Sequence, residues 1–166
     1  MAHETARRIF EEIRSRPYRV SDKIGMPADN CYFKGVELLQ RLGVLGYAVR
    51  GRVGETRWDR TIIPDRIVDL YPARFLVTHF YVEAEIDGAW RILDPSFDPA
   101  LRKAGFRIAE WDGENAPCFD MVKVHSQEEA VAYQAMWNDP VYALGYFEQA
   151  GAFLTELNAW LDSVRA

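Results

Sequence analysis

The stretch FLVTHFYVEAEIDGAWRILD, residues 75–94, constrains this chain more than any other. Two runs rich in β-branched and aromatic residues flank Asp87-Gly88, a dipeptide that favours a two-residue hairpin turn. Such a turn sets the register: Ile86 faces Ala89, Glu85 faces Trp90, Val82 faces Leu93, and Tyr81 faces Asp94. One face then carries Thr78, Phe80, Val82, Ala84 and Ile86 with Leu93, and Arg91 is its charged misfit. The other carries His79, Tyr81, Glu83 and Glu85 with Trp90, Ile92 and Asp94. A slip of one residue would turn every apolar side chain the wrong way, so the fold must contain this antiparallel pair.

The register also brings chemistry together. His79 and Asp94 become diagonal neighbours on one face, roughly 7 Å apart between backbones and within side-chain reach. A carboxylate there can accept one imidazole N–H and stabilise the imidazolium, leaving the other ring nitrogen for a third group. NCYFKGVELLQRLG, starting at Asn30, offers that group. Phe33, Val36, Leu39 and Leu42 recur at helical spacing, with Leu38 flanking, and Gly43 is read as the end of the helix. Pro27, Asp29 and Asn30 supply turn and N-cap residues. Cys31 therefore falls in the first turn, where unpaired N–H groups and the helix dipole favour a thiolate. A nucleophile at a helix N-terminus, a base on a strand and an orienting acid on the next strand make an activated cysteine.

The remaining elements fall around this unit. Ala6, Ile9, Phe10 and Ile13 mark an amphipathic N-terminal helix stopped by Pro17. Residues 47–53 alternate as a strand. A long polar loop with Pro64 and Pro72 follows, with a short strand expected at 61–63 and a further strand at 118–124. Ser126 and Glu129 form a capping box, and Asp139-Pro140 opens a last helix that Gly145 and Gly151 are expected to weaken or divide. Helices at both ends of a central antiparallel sheet make one α+β domain over residues 1–166.

Composition limits the functions available. At 166 residues with 49% apolar content the chain can bury a real core, and a net charge of −5 gives no reason to expect nucleic-acid binding. Two cysteines, Cys31 and Cys118, make no disulfide framework, so a reducing cytoplasm is expected. No apolar run reaches the length of a membrane span, and the charged first helix lacks a secretory h-region.

The order Cys31, His79, Asp94 resembles the transglutaminase-like superfamily, a distant relative of papain-type cysteine proteases. NCYFKGVELLQRLGVLGYAVRGRV resembles that family's cysteine helix and its passage into the first strand. THFYVEAEIDGAWRILDPSFDP resembles its histidine strand, hairpin, tryptophan four residues before the aspartate, and D-P-S/T ending. The likeness spans residues 30–99. It departs at Phe80 and Tyr81, where the family often shows Ala and Trp, and at Asn30, where Asp is usual. It implies a papain-like α+β fold with the cysteine helix packed on the sheet. It also implies acyl transfer on an amide through a Cys31 thioester, His79 as proton donor and Asp94 as orienting acid. The enzyme would be a peptidase or amidase, or a transamidase, acting on a peptide or small amide without a cofactor. The Cys31 backbone N–H is one oxyanion donor, and Tyr18, Asn30 and Trp58 are open candidates for the second. Tyr81 and Trp90 are expected to line the groove.

Other readings compete. A transglutaminase-like domain that has lost turnover would act as a binding or scaffold module. A zinc site is disfavoured because no C-x-x-C or H-x-x-x-H pair is present. Cys118 reads as structural, His125 as exposed and His3 as part of a tail. Arg50, Arg52, Arg57, Arg60, Arg66 and Arg74 surround the long loop. They are either a solvated face balanced by Glu55, Asp59, Asp65 and Asp69, or a binding place for a carboxylate-bearing acyl donor.

Overall fold

The structure, a computed structural model, describes residues 2–26 and 28–166, so the Pro27 turn lies outside the described residues. Helix α1 runs over Ala2–Ser15 and α2 over Cys31–Val44. Strand β1 (Val49–Thr56) is followed by a single-turn helix α3 (Asp65–Val68) and by the hairpin β2 (Val77–Ile86) and β3 (Ala89–Leu93). A short 3₁₀ helix at Pro99–Ala104 precedes β4 (Lys123–Val124), α4 (Gln127–Trp137) and α5 (Pro140–Arg165). The strands form an antiparallel four-stranded sheet in the order β3-β2-β1-β4, so the architecture is α+β. No helix of the described residues is long and apolar enough to cross a membrane.

The hairpin pairs as its turn dictates: Ile86 with Ala89, Glu85 with Trp90 and Val82 with Leu93. Asp87 and Gly88 both take the positive φ that a type I′ turn demands, at 52° and 77°. The ladder stops at Leu93, so Asp94 stands just beyond it and is free to turn inward. Val82, Ala84, Ile86 and Leu93 form one core with Ala6, Ile9, Phe10 and Ile13 of α1 and Leu38 and Leu42 of α2. A second core lies on the far side of the molecule, where Phe153, Leu154, Leu157 and Leu161 of α5 meet Phe97, Leu101 and Ile67.

Several expectations are corrected. Helix α2 does not end at Gly43: the left-handed residue is Gly46 (φ 87°), with Gly46 N–H donating to Gly43 O and Tyr47 N–H to Leu42 O. Its buried stripe is Lys34, Gly35, Leu38 and Leu42, whereas Phe33 is 41% exposed. No strand forms at 61–63, because the Asp59 carboxylate accepts both the backbone N–H and hydroxyl of Thr61 and makes a turn. The strand expected at 118–124 contracts to its last two residues. Helix α5 is unbroken despite Gly145 and Gly151, since its buried apolar face outweighs their propensity.

One contact sets how closely the cysteine helix approaches the sheet. The Phe80 ring lies between Gly35 of α2 and Gly51 of β1, where a Cβ on either glycine would come within 2.5 to 2.7 Å of the ring. A methyl on one glycine would push the ring toward the other. Gly35→Ala is expected to lower the unfolding free energy by about 1–3 kcal/mol, as overpacked core sites do, read from urea unfolding. A variant as stable as the parent would mean that the clamp is loose.

Candidate active site

Cys31 opens α2, whose N-cap is Asn30: the Asn30 side chain accepts from Phe33 N–H at 3.1 Å. The N–H groups of Cys31 and Tyr32 donate to no described residue, leaving the helix N-terminus open toward the thiol. Cys31 is partly exposed and is not in a disulfide.

His79, on β2, is 1% exposed, and Asp94 is fully buried. The His79 Nε2 and Asp94 Oδ2 are 2.6 Å apart. Burying an ion pair this deeply is tolerable only when the remaining lone pairs are filled. Asp94 Oδ2 also accepts from Cys118 N–H at 2.7 Å, while Oδ1 accepts from Ser96 N–H at 3.2 Å and Ser96 Oγ at 2.5 Å. Burial opposes ionisation of Asp94, but His79, Ser96 and the Cys118 N–H outweigh it, and its pKa is lowered. Burial likewise opposes the imidazolium, but the charge and hydrogen bond of Asp94, followed by Cys31, push the His79 pKa up to about 10. After Asp94, Cys31 is the next side chain to act on the ring. No thiol–imidazole bond of ordinary geometry closes, and Nδ1 is buried without a partner among the described residues. The arrangement is a buried carboxylate on one ring nitrogen and a thiol that acts on the same ring.

The chain backs this pair with a residue that sequence patterning hides. Lys34, one turn along α2 from Cys31, is completely buried. Its Nζ donates to the carbonyls of Arg16 at 2.5 Å, Ser96 at 3.0 Å and Arg14 at 3.3 Å. The helix bearing the nucleophile is thereby fastened to the turn that holds the acid. Burial lowers the Lys34 pKa to about 8, even though Asp29 and Asp98 favour its charge. A cation at a core position of α2 breaks the apolar rule that sequence reading relies on. Cys118 is the second missed residue. It is buried, with its thiol pKa pushed well up by burial, and its backbone N–H is one of the donors to Asp94. No pattern in the sequence marks a backbone donor.

The other candidates separate. Tyr18 is 3% exposed, and its phenol pKa is raised by burial first and then by the nearby Cys31 and Asp94. Tyr81 is buried beside His79, ring centroids 6.2 Å apart. Trp58 sits one ring away, its centroid 6.0 Å from Phe119, which itself lies 4.6 Å from His79. Asn30 is the helix cap, with its carbonyl committed to Phe33. Trp90 does not line the groove: it is 40% exposed at the far end of the hairpin, under the Arg50 guanidinium at 4.1 Å. His125 is not exposed. It is 7% accessible, with Nε2 2.9 Å from Glu55. His3 is not a loose tail but part of α1, edge-on to Trp111.

Helix α4 is laid over the thiol end. Tyr133 hydrogen-bonds Thr78, the neighbour of His79, and Gln134 donates to the hydroxyl of Tyr32, the neighbour of Cys31, both at 2.7 Å. Tyr133 and Tyr146 both respond to Cys31, although burial is the larger cause of their raised pKa values. Neither was legible as a site residue, because aromatic spacing on a helix reads as core. Among the described residues no group of three or more His, Cys, Asp or Glu is placed to hold a metal ion.

The pair makes a linked pH prediction. His79, raised above its ordinary 6.5, contributes stability that is complete below that value and is lost as pH climbs through about 10. Asp94, lowered below 3.8, contributes stability present above that value and lost as pH falls through its folded value. Asp94→Asn is expected to lower the NMR titration midpoint of His79 by about 1–3 pH units. An unmoved midpoint would show that Asp94 does not hold the charge. No protein-family model matches this chain, and no match was found among curated proteins or solved structures.

Proposed function

We propose that the chain is a transglutaminase-like cysteine enzyme that transfers an acyl group from an amide through a Cys31 thioester, within a papain-like fold. The observation that carries this is the buried His79–Asp94 pair with Cys31 acting on the same ring from an open helix N-terminus. The Cys31 thiolate attacks the amide carbonyl, forming an S–C bond and an oxyanion that the Cys31 N–H is placed to receive. The His79 imidazolium gives its proton to the leaving amine as the C–N bond breaks. Water, or a second amine, then attacks the thioester carbonyl with His79 as base. The acyl product leaves and the thiolate is restored. Asp94 remains ionised throughout and stabilises the charged imidazole. Hydrolysis makes the enzyme a peptidase or amidase; capture by an amine makes it a transamidase.

A second reading, a catalytically silent domain serving as a binding or scaffold module, draws on one observation. His79 is almost wholly enclosed, and neither the cleft beside α2 nor the cleft at Arg57 and Trp58 is lined by Cys31 or His79. The thiol itself decides between them. Alkylation of each cysteine, followed by mass spectrometry, is expected to show Cys31 reacting at least about tenfold faster than Cys118 at neutral pH. His79→Ala is expected to slow Cys31 alone. Cys31→Ala is expected to abolish turnover of peptide amides with little change in Tm. Equal rates at the two cysteines would overturn the enzyme and leave the binding module.

A further inference from the structure

The arginines around the long loop resolve one by one. Arg50 and Arg52 share Glu83, at 2.5 and 3.9 Å, Arg60 is held by Asp65 and Asp69, and Arg66 reaches Glu156 at 3.6 Å. Arg74 lies over the Phe75 ring at 4.6 Å. These five behave as a balanced surface. Arg57 is the exception: it is exposed and makes no hydrogen bond, ion pair or ring contact with any described residue.

Arg57 also stands in a particular place. It lines a cleft of about 490 Å³ together with Trp58, Ile62, Phe119 and Val122. That volume suits a small ligand. Phe119 and Cys118, which close part of this cleft, are the residues that touch the catalytic pair: the Phe119 ring lies 4.6 Å from His79, and the Cys118 N–H is bonded to Asp94. Trp58 keeps its indole Nε1 buried without a partner among the described residues. Of the carboxylates on the rim, Asp120 is paired with Arg107 at 2.9 Å, and Asp59 is turned into its own loop, accepting from the N–H and hydroxyl of Thr61. The other cleft, about 400 Å³ beside α2, offers no such cation, since its Arg16 is paired with Asp29 and Glu37.

We infer that this cleft is a carboxylate-binding subsite, with the unpaired Arg57 guanidinium as its cation and the Trp58 ring as part of its wall, and that the substrate is a carboxylate-bearing peptide or amide. Of the three arginines lining the cleft, Arg60 is paired with Asp65 and Asp69 and Arg107 with Asp120. The one guanidinium left open is that of Arg57, which beside an apolar wall matches a carboxylate on a short aliphatic chain. A phosphate, with greater charge, calls for more than one cation. The inference rests on the acyl-transfer reading for its link to turnover, but binding at the cleft is measurable without turnover.

The test is a titration of the ¹⁵N-labelled parent protein with glutarate, and separately with the neutral glutaramide, at constant ionic strength. The Trp58 indole signal is assigned by its loss in Trp58→Phe, and the Trp111 signal serves as reference. The Trp58 signal is expected to shift saturably with glutarate and not with glutaramide. Arg57→Ala, a change at an exposed side chain, is expected to weaken that response tenfold or more. A Trp58 signal that ignores glutarate, responds equally to glutaramide, or responds undiminished in Arg57→Ala overturns the subsite. Saturable glutarate binding with an unreactive Cys31 keeps the subsite and removes the enzyme, so the two failures are told apart.

Discussion

A carboxylate with no access to water must be surrounded, and much of this molecule is arranged around Asp94. The end of the β3 ladder releases it inward, the Pro95-Ser96 turn wraps back to fill one oxygen, and the loop at Cys118 and the His79 ring fill the other. Each donor comes from a different part of the chain, so satisfying one anion fixes the relative positions of a hairpin, a turn and a distant loop. Removing any one donor leaves a charge that water cannot reach, which is far more costly than losing an exposed pair. Lys34 extends the same logic by one step, fixing the Ser96 carbonyl and the end of α1 to the helix that carries Cys31.

The two ionisable partners are held against burial rather than by it. Desolvation is the largest single influence on both His79 and Asp94, and for both it favours the neutral form. The charged pair survives because each partner and the surrounding donors outweigh that influence. Charge separation is therefore prepared before any substrate arrives. Phe80 complements this on the opposite face of the strand. Its ring, between two glycines, brings the cysteine helix close to β1 and β2.

What was legible in the sequence was local. The hairpin, its register, and the pairing of His79 with Asp94 followed from a two-residue turn and a period of two. The Asn30 cap, the Ser126 capping box and the Asp139 cap followed from side chains that reach only a few residues. Missing were the features that depend on distant chain. Lys34 reads as surface until three carbonyls gather around it. His125 reads as exposed until Glu55 and Tyr133 enclose it. Trp90 reads as a groove wall from its place before Asp94, yet it stands near the hairpin tip under Arg50. The 61–63 stretch has β-forming composition, but Asp59 competes for its backbone. Gly145 and Gly151 argue for a break that the core packing of α5 overrides.

The end of α5 reaches back across almost the whole chain. Arg165 donates to Asp98 and to the Tyr18 carbonyl, and Asn158 pairs with both the N–H and the carbonyl of Val20. Tyr18 lies beside Cys31 and Asp94, so one wall of the site is secured by a helix synthesised after all three of these residues. The contacts to Tyr18 and Val20 span 147 and 138 residues, the kind whose loop-closure entropy must be met late in folding. On a ribosome, the thiol, the imidazole and the acid all emerge well before the wall that encloses them. The nascent chain carries the Cys31 thiol in an unfinished setting, and the enclosed arrangement waits until α5 has emerged.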